Sequence, residues 1–417
     1  MNSTTLTSPE ATDPVLFSGE RWFDPIEEAV RSRVRGFIEE MLETELDGAL
    51  QRSRYARKVA SGPEAPPAPV GHRHGHRQRV LVGTFGPVEI NVPRARLEVG
   101  DGGTTEWKSK SIEAYQRRTK QIEAMIAGAY LSGTNTRRVK RALGALFKDV
   151  ISKDVVSRAW RKVQTDWEVW SKRDLSNEPI VRLILDGTVV RTRIDKKSTS
   201  ISLLVALGVR ADGQKVLLAV EDMGGESEAS WRACLDKLCA RGLRQPEFII
   251  VDGAPGLEKA LVSLWPNAPL QRCTVHKHRN LLAHAPQKLH EEISAEYSDM
   301  IYAKTAKEVM IKRRQFLAKW RLKHRPVADS LEEAGEKLFT FLRLPCEQWK
   351  SARTTNAIER LHEEFKRRIK TQTLLPSTRT AAMLFWALMA SGQIIMRKID
   401  GWETLPKGIA RDIDLAA

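Results

Sequence analysis

The sequence predicts a mixed α/β protein in which a central sheet is preceded and interrupted by helical regions. Between residues 181 and 276, short runs rich in β-branched residues alternate with segments of helical spacing in the order β-β-β-α-β-α-β. Regions 109–175 and 277–350 show helical spacing throughout. Hydrophobic residues make up 41% of the 417 residues, which is typical of a chain that buries a sizeable core in several domains.

The charge of the chain is strongly positive and unevenly distributed. The formal net charge is +16, although residues 1–50 contain eleven acidic and only four basic side chains. An ordinary metabolic enzyme does not need this excess, whereas a protein that binds a polyanion such as nucleic acid does. The alternative is a basic protein without such a partner.

The cysteines and the apolar runs indicate the compartment. The four cysteines lie at positions 234, 239, 273 and 346 and show no disulfide framework, which fits a reducing cytoplasm. The polar N-terminal residues lack the basic start of a signal peptide. The longest apolar run, Ala381–Ala390, is too short for a membrane span of about 20 residues. We therefore expect a cytoplasmic protein with no membrane partner.

The N-terminal region predicts a tail, a helix, a linker and a hairpin. Residues 1–55 hold the tail and an amphipathic helix over 24–54, which either pairs with a second copy of the protein or docks on its own chain. In region 56–108, a Pro-rich linker at 61–69 precedes a basic loop at 71–79 and a hairpin over 80–92 that turns at Gly86-Pro87. The histidines at 72, 74 and 76 allow a metal site, but the basic loop favours phosphate contacts through Arg73 and Arg77.

Region 109–175 predicts three helices, over 112–131, 136–147 and 153–170, and the short connections resemble a helix-turn-helix. Residues 134–167 contain nine Lys or Arg against three Asp. A helical bundle with a solvated basic face is the alternative to a DNA-binding domain. On the DNA-binding interpretation, the candidate contacts are Arg137, Arg138, Lys153, Ser157, Arg158, Arg161 and Lys162.

The central region predicts one folded domain split by an insertion. The strands are expected at 181–187, 188–209, 214–222, 247–252 and 270–275, with helices at 228–241 and 256–265. This order resembles the ribonuclease-H-like fold, with 176–276 and 351–400 as its two parts and 401–417 as a tail. The insertion over 277–350 is expected to be all-helical and contains a capping-box pattern at Thr305 and Glu308, and helices resume from about 355 to 398.

Two strands end in the same Asp-Gly pattern. Asp186 follows an apolar run that begins at Val181, and Asp252 follows a second run that begins at Phe248. Carboxylates are the ligands that divalent cations use in phosphate chemistry, so we expect the two side chains to lie together at one edge of the sheet. Asp-Gly is also a common turn, as Asp212-Gly213 illustrates.

A third carboxylate is expected on a helix beside the sheet. Glu359 and Lys366 share a helical face at a spacing of seven residues, and Glu363 lies between them. Glu363 and Glu364 compete with Glu359 for this role. Glu359 also has a structural alternative, because Asn356 and Glu359 have the spacing of a capping box.

Cys273 and His276 form a Cys-x-x-His pattern between the second and third acids. A structural zinc site needs four ligands, and no second cysteine pair follows. A buried cysteine and a histidine that positions the sheet edge or DNA is the interpretation that the pattern favours.

These motifs together resemble the Mutator-type bacterial insertion-sequence transposases of the DDE class. The resemblance covers residues 70–375 and rests on Leu185-Asp186-Gly187, the segments 251–257 and 271–280, Thr354-Thr355-Asn356 with the residues to 360, Trp231, and the segments 115–118 and 156–158. It implies that Asp186, Asp252 and Glu359 bind Mg²⁺ or Mn²⁺, with Cys273 and His276 as the Cys-x-x-His element and Lys366 as a basic residue after the glutamate. The further DNA contacts proposed from this region are Arg272, His276, Arg279, Asn280, Arg360, Lys366 and Arg367.

The resemblance implies a DNA transposase that cuts at the ends of its element and joins the 3′-hydroxyl to target DNA. Its expected partners are double-stranded DNA, both the terminal inverted repeats and the target, and further copies of itself in a dimer or higher oligomer. The alternatives are an inactive relative that only binds DNA and a structure-specific nuclease without strand transfer.

Overall fold

The computed structural model describes residues 25–54, 71–99, 103–131, 153–370, 375 and 377–409. The helices are α1 Pro25–Leu50, α2 Lys120–Leu131, α3 Lys153–Ser171, α4 Glu228–Ala240, α5 Pro255–Leu264, α6 Thr274–Ala283, α7 His290–Ile301, α8 Ala306–Lys323, α9 Arg325–Ala334, α10 Cys346–Ala352, α11 Asn356–Ile369 and α12 Thr378–Ala390. The strands are β1 Gly71–Gly83, β2 Gly86–Glu98, β3 Thr104–Glu106, β4 Ile180–Ile194, β5 Lys197–Arg210, β6 Lys215–Asp222, β7 Phe248–Val251 and β8 Leu270–Arg272. Short 3₁₀ helices lie at Gln287–Leu289, Gly335–Leu338, Thr340–Arg343 and Trp402–Lys407.

The chain forms two compact units. The N-terminal unit contains residues 1–130 and 134–161, and the C-terminal unit contains residues 131–133 and 162–417. Within the described residues, no helix combines the length and the apolar character that crossing a membrane requires.

The N-terminal unit is built on a three-stranded antiparallel sheet in the order β1-β2-β3. The prediction of a basic loop over 71–79 is wrong, because these residues pair with β2 as far as Gly71 opposite Leu97. The turn comes before Gly86, which lies opposite Gly83, and not at Gly86-Pro87. Pro87 is tolerated here because it occupies the beginning of its strand.

Helix α1 docks on this sheet within its own chain. Leu42 and Leu46 are fully buried against apolar residues of the hairpin and of the segment that follows it. On the acidic side of the helix, Arg73 forms ion pairs with Glu43 and Asp47. The docking interpretation is therefore confirmed, whereas the proposed dimer contact stays a prediction.

The helical prediction for region 109–175 is confirmed in part. Residues 112–119 are not helical, and residues 117–119 pair with β1 instead: the amide of Val82 donates to the carbonyl of Arg117, and the amide of Thr119 donates to the carbonyl of Val82, each at 2.9 Å. The helices over 120–131 and 153–171 agree with the predictions. The predicted helix 136–147, the tail before 25 and the linker 61–69 lie outside the described residues.

The C-terminal unit contains a five-stranded mixed sheet in the order β6-β5-β4-β7-β8. Strands β4, β5 and β6 are antiparallel neighbours, whereas β7 is parallel to β4 and β8 is parallel to β7. The predicted order of strands and helices is confirmed. The predicted break after residue 187 is wrong, because β4 continues to Ile194 and turns through Asp195 and Lys196, both of which have positive φ.

Helices cover both faces of this sheet. Helices α4 and α5 bury Trp231, Leu235 and Leu261 against inward-facing residues of β4 and β7 such as Leu183 and Ile249. Helices α11 and α12 pack on β4, and α12 also packs on β6. Trp231, which is 1% exposed, is therefore a core residue of the sheet unit.

The insertion is all-helical as predicted, but its first helix begins at Thr274 and not at 277. Thr305 caps α8 by accepting a hydrogen bond from the amide of Glu308 at 3.2 Å, which confirms the predicted N-cap. Helices do not continue to 398, because α12 ends at Ala390 and Gly392 has a φ of +73°.

Candidate active site

Two aspartates lie side by side at the edge of the sheet where β7 ends, a point that the neighbouring strand β4 passes before it ends at Ile194. Leu185 of β4 is in register with Val251 of the parallel strand β7, so that Asp186 and Asp252 follow at neighbouring positions. Asp186 is 7% exposed. Burial raises the pKa of Asp252, and the negative charge of Asp186 raises it further. Bringing two carboxylates together in this way is costly unless a cation lies nearby.

The alternative that the aspartates are turn residues is wrong for Asp186 but holds for one oxygen of Asp252. Asp186 lies within β4, opposite Val205, and no turn follows it. Asp252 does have a turn role, because its Oδ1 accepts a hydrogen bond from the amide of Ala254 at 2.9 Å and Gly253 adopts a φ of +100°. Asp252 therefore has one oxygen engaged by the backbone.

Helix α11 brings Glu359 to the same edge. The buried face of this helix, which includes Ile358 and Phe365, packs towards the sheet. The capping-box alternative for Glu359 is wrong, because Thr355 is the N-cap residue and no side chain caps the helix. Glu363 is exposed, and Glu364 pairs with arginines of its own helix.

Glu359 lies next to a histidine cation. Its Oε1 is 3.3 Å from Nε2 of His276 and 3.6 Å from Nη1 of Arg279. These are ion-pair contacts, and Oε1 has no hydrogen-bond partner among the described residues although it is buried. A buried carboxylate oxygen without a partner has room to act as a ligand.

Several neighbouring groups raise the pKa of His276 and so favour its charged form. A hydrogen bond to Cys273 raises the pKa of His276 to about 9 against the opposing effect of burial, and the charges of Cys273, Glu359 and Asp186 add to the increase. Burial raises the pKa of the Cys273 thiol, but hydrogen bonds from His276 and Thr355 lower it below its usual range. The Cys-x-x-His element thus places a cation among the carboxylates at this edge.

Sequence reasoning missed two side chains at the site. His362 is 5% exposed and holds its Nδ1 3.4 Å from Oδ2 of Asp186. Glu226 lies before α4, accepts a hydrogen bond from Ser202, and adds to the rise in the pKa of Asp252. The position of His362 three residues after Glu359 on one helix was an available signal. Glu226 had no such signal.

Gly187 leaves room for the carboxylate of Glu226. A Cβ atom at Gly187 would overlap the Glu226 carboxylate. The glycine after Asp186 therefore admits a carboxylate from another element and does not serve a turn.

The chemistry of the donor set, although not its present arrangement, suits a hard divalent cation. Asp186, Asp252 and Glu359 offer carboxylate oxygens, which Mg²⁺ prefers, and Glu359 Oε1 lacks a hydrogen-bond partner in the described part of the chain. In the described residues, no three His, Cys, Asp or Glu side chains are arranged so that they could hold a metal ion as they stand. The same finding gives no support to a zinc site at Cys273, nor to a metal site at the histidines at 72, 74 and 76.

The predicted DNA contacts of the C-terminal unit fall into two groups. One group is exposed on α6 and α11 and comprises Arg279, Asn280, Arg360, Lys366 and Arg367, the last of which pairs with Glu364. Arg272 is different, because only 12% of its side chain is exposed and it pairs with Glu258 and Glu333. Its observed partners give it a structural role. Lys162, which also belongs to this unit, is exposed on α3.

The predicted contacts of the N-terminal unit divide in the same way. Arg73 is occupied by its ion pairs with α1, whereas Arg77 and Arg158 are exposed. Arg161 is also exposed on α3. Arg137, Arg138 and the side chain of Lys153 lie outside the described residues.

Comparison with known proteins gives a consistent family. A family model described as "Transposase, Mutator family" matches residues 11–394. The chain is 31% identical over 361 residues to the transposase for insertion sequence element ISRM5 of Rhizobium meliloti, covering 87% of each chain. It is 29% identical over 345 residues to the transposase for IS905 of Lactococcus lactis, covering 82% of this chain and 86% of the relative. It is 28% identical over 336 residues to the transposase for IS256 in transposon Tn4001 of Staphylococcus aureus, covering 79% and 82%.

Proposed function

Because this chain belongs to the Mutator family of transposases, we propose that it binds the ends of an insertion sequence, cleaves phosphodiester bonds there and transfers the freed 3′-hydroxyl strand into target DNA. The transposase role and the binding of DNA follow from the family. The observation that carries the chemistry is the pair of neighbouring carboxylates, Asp186 and Asp252, with Glu359 close by. The charge of His276 interacts electrostatically with all three acids.

The proposal includes a ribonuclease-H-like core of the DDE class. Its support is the strand order, in which three antiparallel strands continue into two parallel ones, with helices on both faces. Asp186 lies within β4, Asp252 directly follows the parallel strand β7, and Glu359 lies on a helix packed against β4. The carboxyl end of β7, where Asp252 lies, is the kind of position at which sheets with parallel strands present their sites.

Asp186, Asp252 and Glu359 would hold Mg²⁺ or Mn²⁺ in this proposal. The bound cation would lower the pKa of an attacking water or hydroxyl and stabilise the charge of the leaving oxygen. His362 fixes the orientation of the Asp186 carboxylate through its contact with Oδ2, a role that outer residues have at metal sites. Before the cation binds, His276 balances the negative charge of the acids.

The exposed cations near the site would bring DNA to it. Arg279 lies beside Glu359, with 63% of its side chain exposed and Nη1 3.6 Å from Glu359 Oε1. Arg360 and Lys366 are exposed on α11. Basic side chains of this kind contact phosphates and position the duplex without reading its sequence.

The test is a pair of matched substitutions assayed on DNA that carries the terminal inverted repeats. Asp186→Asn keeps the shape of the side chain but removes the charge, and should lower cleavage at least about 1,000-fold, since metal-assisted charge stabilisation amounts to several kcal/mol. Asp212→Asn changes an exposed turn aspartate and should leave cleavage unchanged. DNA binding should persist in both variants.

Three outcomes separate the proposal from its alternatives. Full cleavage by Asp186→Asn would remove the carboxylates from the mechanism. Cleavage without any joined product by the unaltered protein would identify a nuclease that lacks strand transfer. Metal-independent binding of the repeats with no nicking would identify an inactive relative. Oligomerisation on DNA stays a prediction, which the mass of the protein–DNA complex would decide.

A further inference from the structure

The N-terminal unit contains a second charged feature, a groove of about 820 Å³ beside the hairpin. It lies between β1, β2 and the segment that leads into α2. Its basic lining residues are Arg77, Arg79, Arg94, Lys108, Arg117, Arg118 and Arg158, and Glu106 is the one acidic residue among the described residues that line it. Glu106 is already paired with Arg94 at 3.0 Å. The groove therefore has a large excess of positive charge.

The cations of this groove repel one another. Burial lowers the pKa of Arg79, and the charges of Arg77 and Arg117 lower it further. Arg118 is affected in the same way, first by burial and then by Arg158. Arg77, Lys108 and Arg117 are exposed, and none of them forms an ion pair with an acidic side chain in the part of the chain that the structure describes. A polyanion entering the groove would remove this repulsion.

An exposed aromatic side chain lines the same groove. Tyr115 is 83% exposed, and its φ of +67° lies in the left-handed region that large side chains rarely adopt. The neighbouring residues hold it there: Ile112 is buried, the carbonyl of Gln116 accepts a hydrogen bond from Arg79 at 2.5 Å, and the carbonyl of Arg117 accepts one from Val82 at 2.9 Å. A glycine would suit this backbone, so neither packing nor conformation accounts for a tyrosine.

We propose that this groove binds a DNA strand with an unpaired base, which stacks on Tyr115 while Arg77, Lys108 and Arg117 contact the flanking phosphates. A cationic groove combined with an exposed aromatic ring is the arrangement by which proteins hold single-stranded nucleic acid. A fully paired duplex would use the cations but not the ring. The inference rests on the proposed function in that DNA is the partner. It adds that the N-terminal unit binds DNA as a strand with an unpaired base.

The experiment measures binding of the full-length protein to oligo(dT) and to a blunt duplex of equal length by fluorescence anisotropy, without divalent ions. Tyr115→Gly suits the local φ, so it should keep or raise the melting temperature. It should nevertheless weaken binding of oligo(dT) by about ten- to a hundred-fold, the cost of losing one base–aromatic stack. Binding of the blunt duplex should change less than about two-fold. Tyr115→Phe keeps the ring and should bind both probes normally.

A second set of variants tests the phosphate contacts. The double variant Arg77→Ala with Arg117→Ala should weaken binding of both probes and reduce the salt slope on oligo(dT) by about 1.4, since each contact on a single strand contributes about 0.7. Arg33→Ala removes an exposed arginine of α1 outside the groove and should leave the slope unchanged.

Two results would overturn the inference. One is equal binding of oligo(dT) by Tyr115→Gly and the unaltered protein, and the other is an equal loss on both probes. Neither result depends on cleavage, so a failure here is distinguishable from a failure of the metal-site proposal, for which Asp186→Asn is the test.

Discussion

The buried carboxylate of Glu258 should be a strong determinant of stability in the C-terminal unit. Glu258 is 5% exposed and accepts hydrogen bonds from Nη2 of Arg272 at 3.0 Å and from Nζ of Lys337 at 2.8 Å. The Arg272 side chain is itself 12% exposed, and its other acidic partner, Glu333, is 59% exposed. Glu258→Ala would therefore leave the largely buried guanidinium of Arg272 with Glu333 as its acidic partner, and solvent screens the charge of Glu333 because this side chain is exposed.

The magnitude follows from that burial. Breaking a buried ion pair by removing one partner costs about 3–5 kcal/mol, because the remaining charge stays desolvated. At about 2–4 °C per kcal/mol for a unit of this size, the melting temperature should fall by about 6–20 °C. The matched control is Asp299→Ala, which removes an exposed partner of Lys312 and should cost no more than about 1 kcal/mol.

Calorimetric unfolding of the full-length protein measures both variants. A third variant separates loss of the charge pair from loss of volume: Glu258→Leu combined with Arg272→Met replaces the pair with apolar side chains and should recover most of the lost stability. The reasoning fails if Glu258→Ala costs less than about 1 kcal/mol, or if the double variant is no more stable than the single one. Either result would argue against a structural role for Arg272 and would favour the prediction that it contacts DNA.

Two further predictions concern pH and the sheet edge. Burial raises the pKa of Glu45, but hydrogen bonds from Ser109 and from the backbone that follows it outweigh this effect and lower the pKa. This stabilisation is present above the unfolded-state pKa of about 4.3 and is lost as the pH falls through the lower folded-state value. The melting temperature of the N-terminal unit should thus decline in acid, and Glu45→Gln should flatten the decline; an unchanged profile would contradict the assignment. Gly187→Ala should displace the flexible Glu226 carboxylate at little cost in stability, yet lower cleavage by about 10- to 100-fold through misplacement of groups at the site. Gly128→Ala, in open space on α2, is the control and should leave cleavage unchanged, and equal activity of both variants would exclude a role for Glu226.

The strands and two of the acids were predictable because their signals are local. An apolar run with a carboxylate at its end specifies both a buried strand and an unusual charge, which is why Asp186 and Asp252 could be assigned from the sequence. The register of the parallel strands β4 and β7 then places the two aspartates side by side. Glu359 was harder, since a capping box has the same spacing, and only the observed N-cap at Thr355 separates the two.

The features that the sequence did not reveal depend on tertiary neighbours. Residues 112–119 have helical spacing but are not helical, because the hairpin offers residues 117–119 a backbone partner that competes with the helix. Glu226 reaches the site from a loop, through the space that Gly187 leaves open. The strain at Tyr115 arises because contacts on both sides fix its backbone, and no local pattern encodes it.

The arginines show how the net charge becomes a functional surface. From the sequence, Arg73, Arg77 and Arg272 are equivalent basic residues, yet two of them are neutralised by acids on other elements: Glu43 and Asp47 for Arg73, and Glu258 and Glu333 for Arg272. Paired arginines have exchanged their counterions for protein carboxylates, so they release few counterions when DNA binds and contribute little to its salt dependence. The positive charge that remains available near the hairpin is that of the groove lined by Arg77. The salt dependence of DNA binding in this unit should therefore follow the groove residues and not the total count of basic residues.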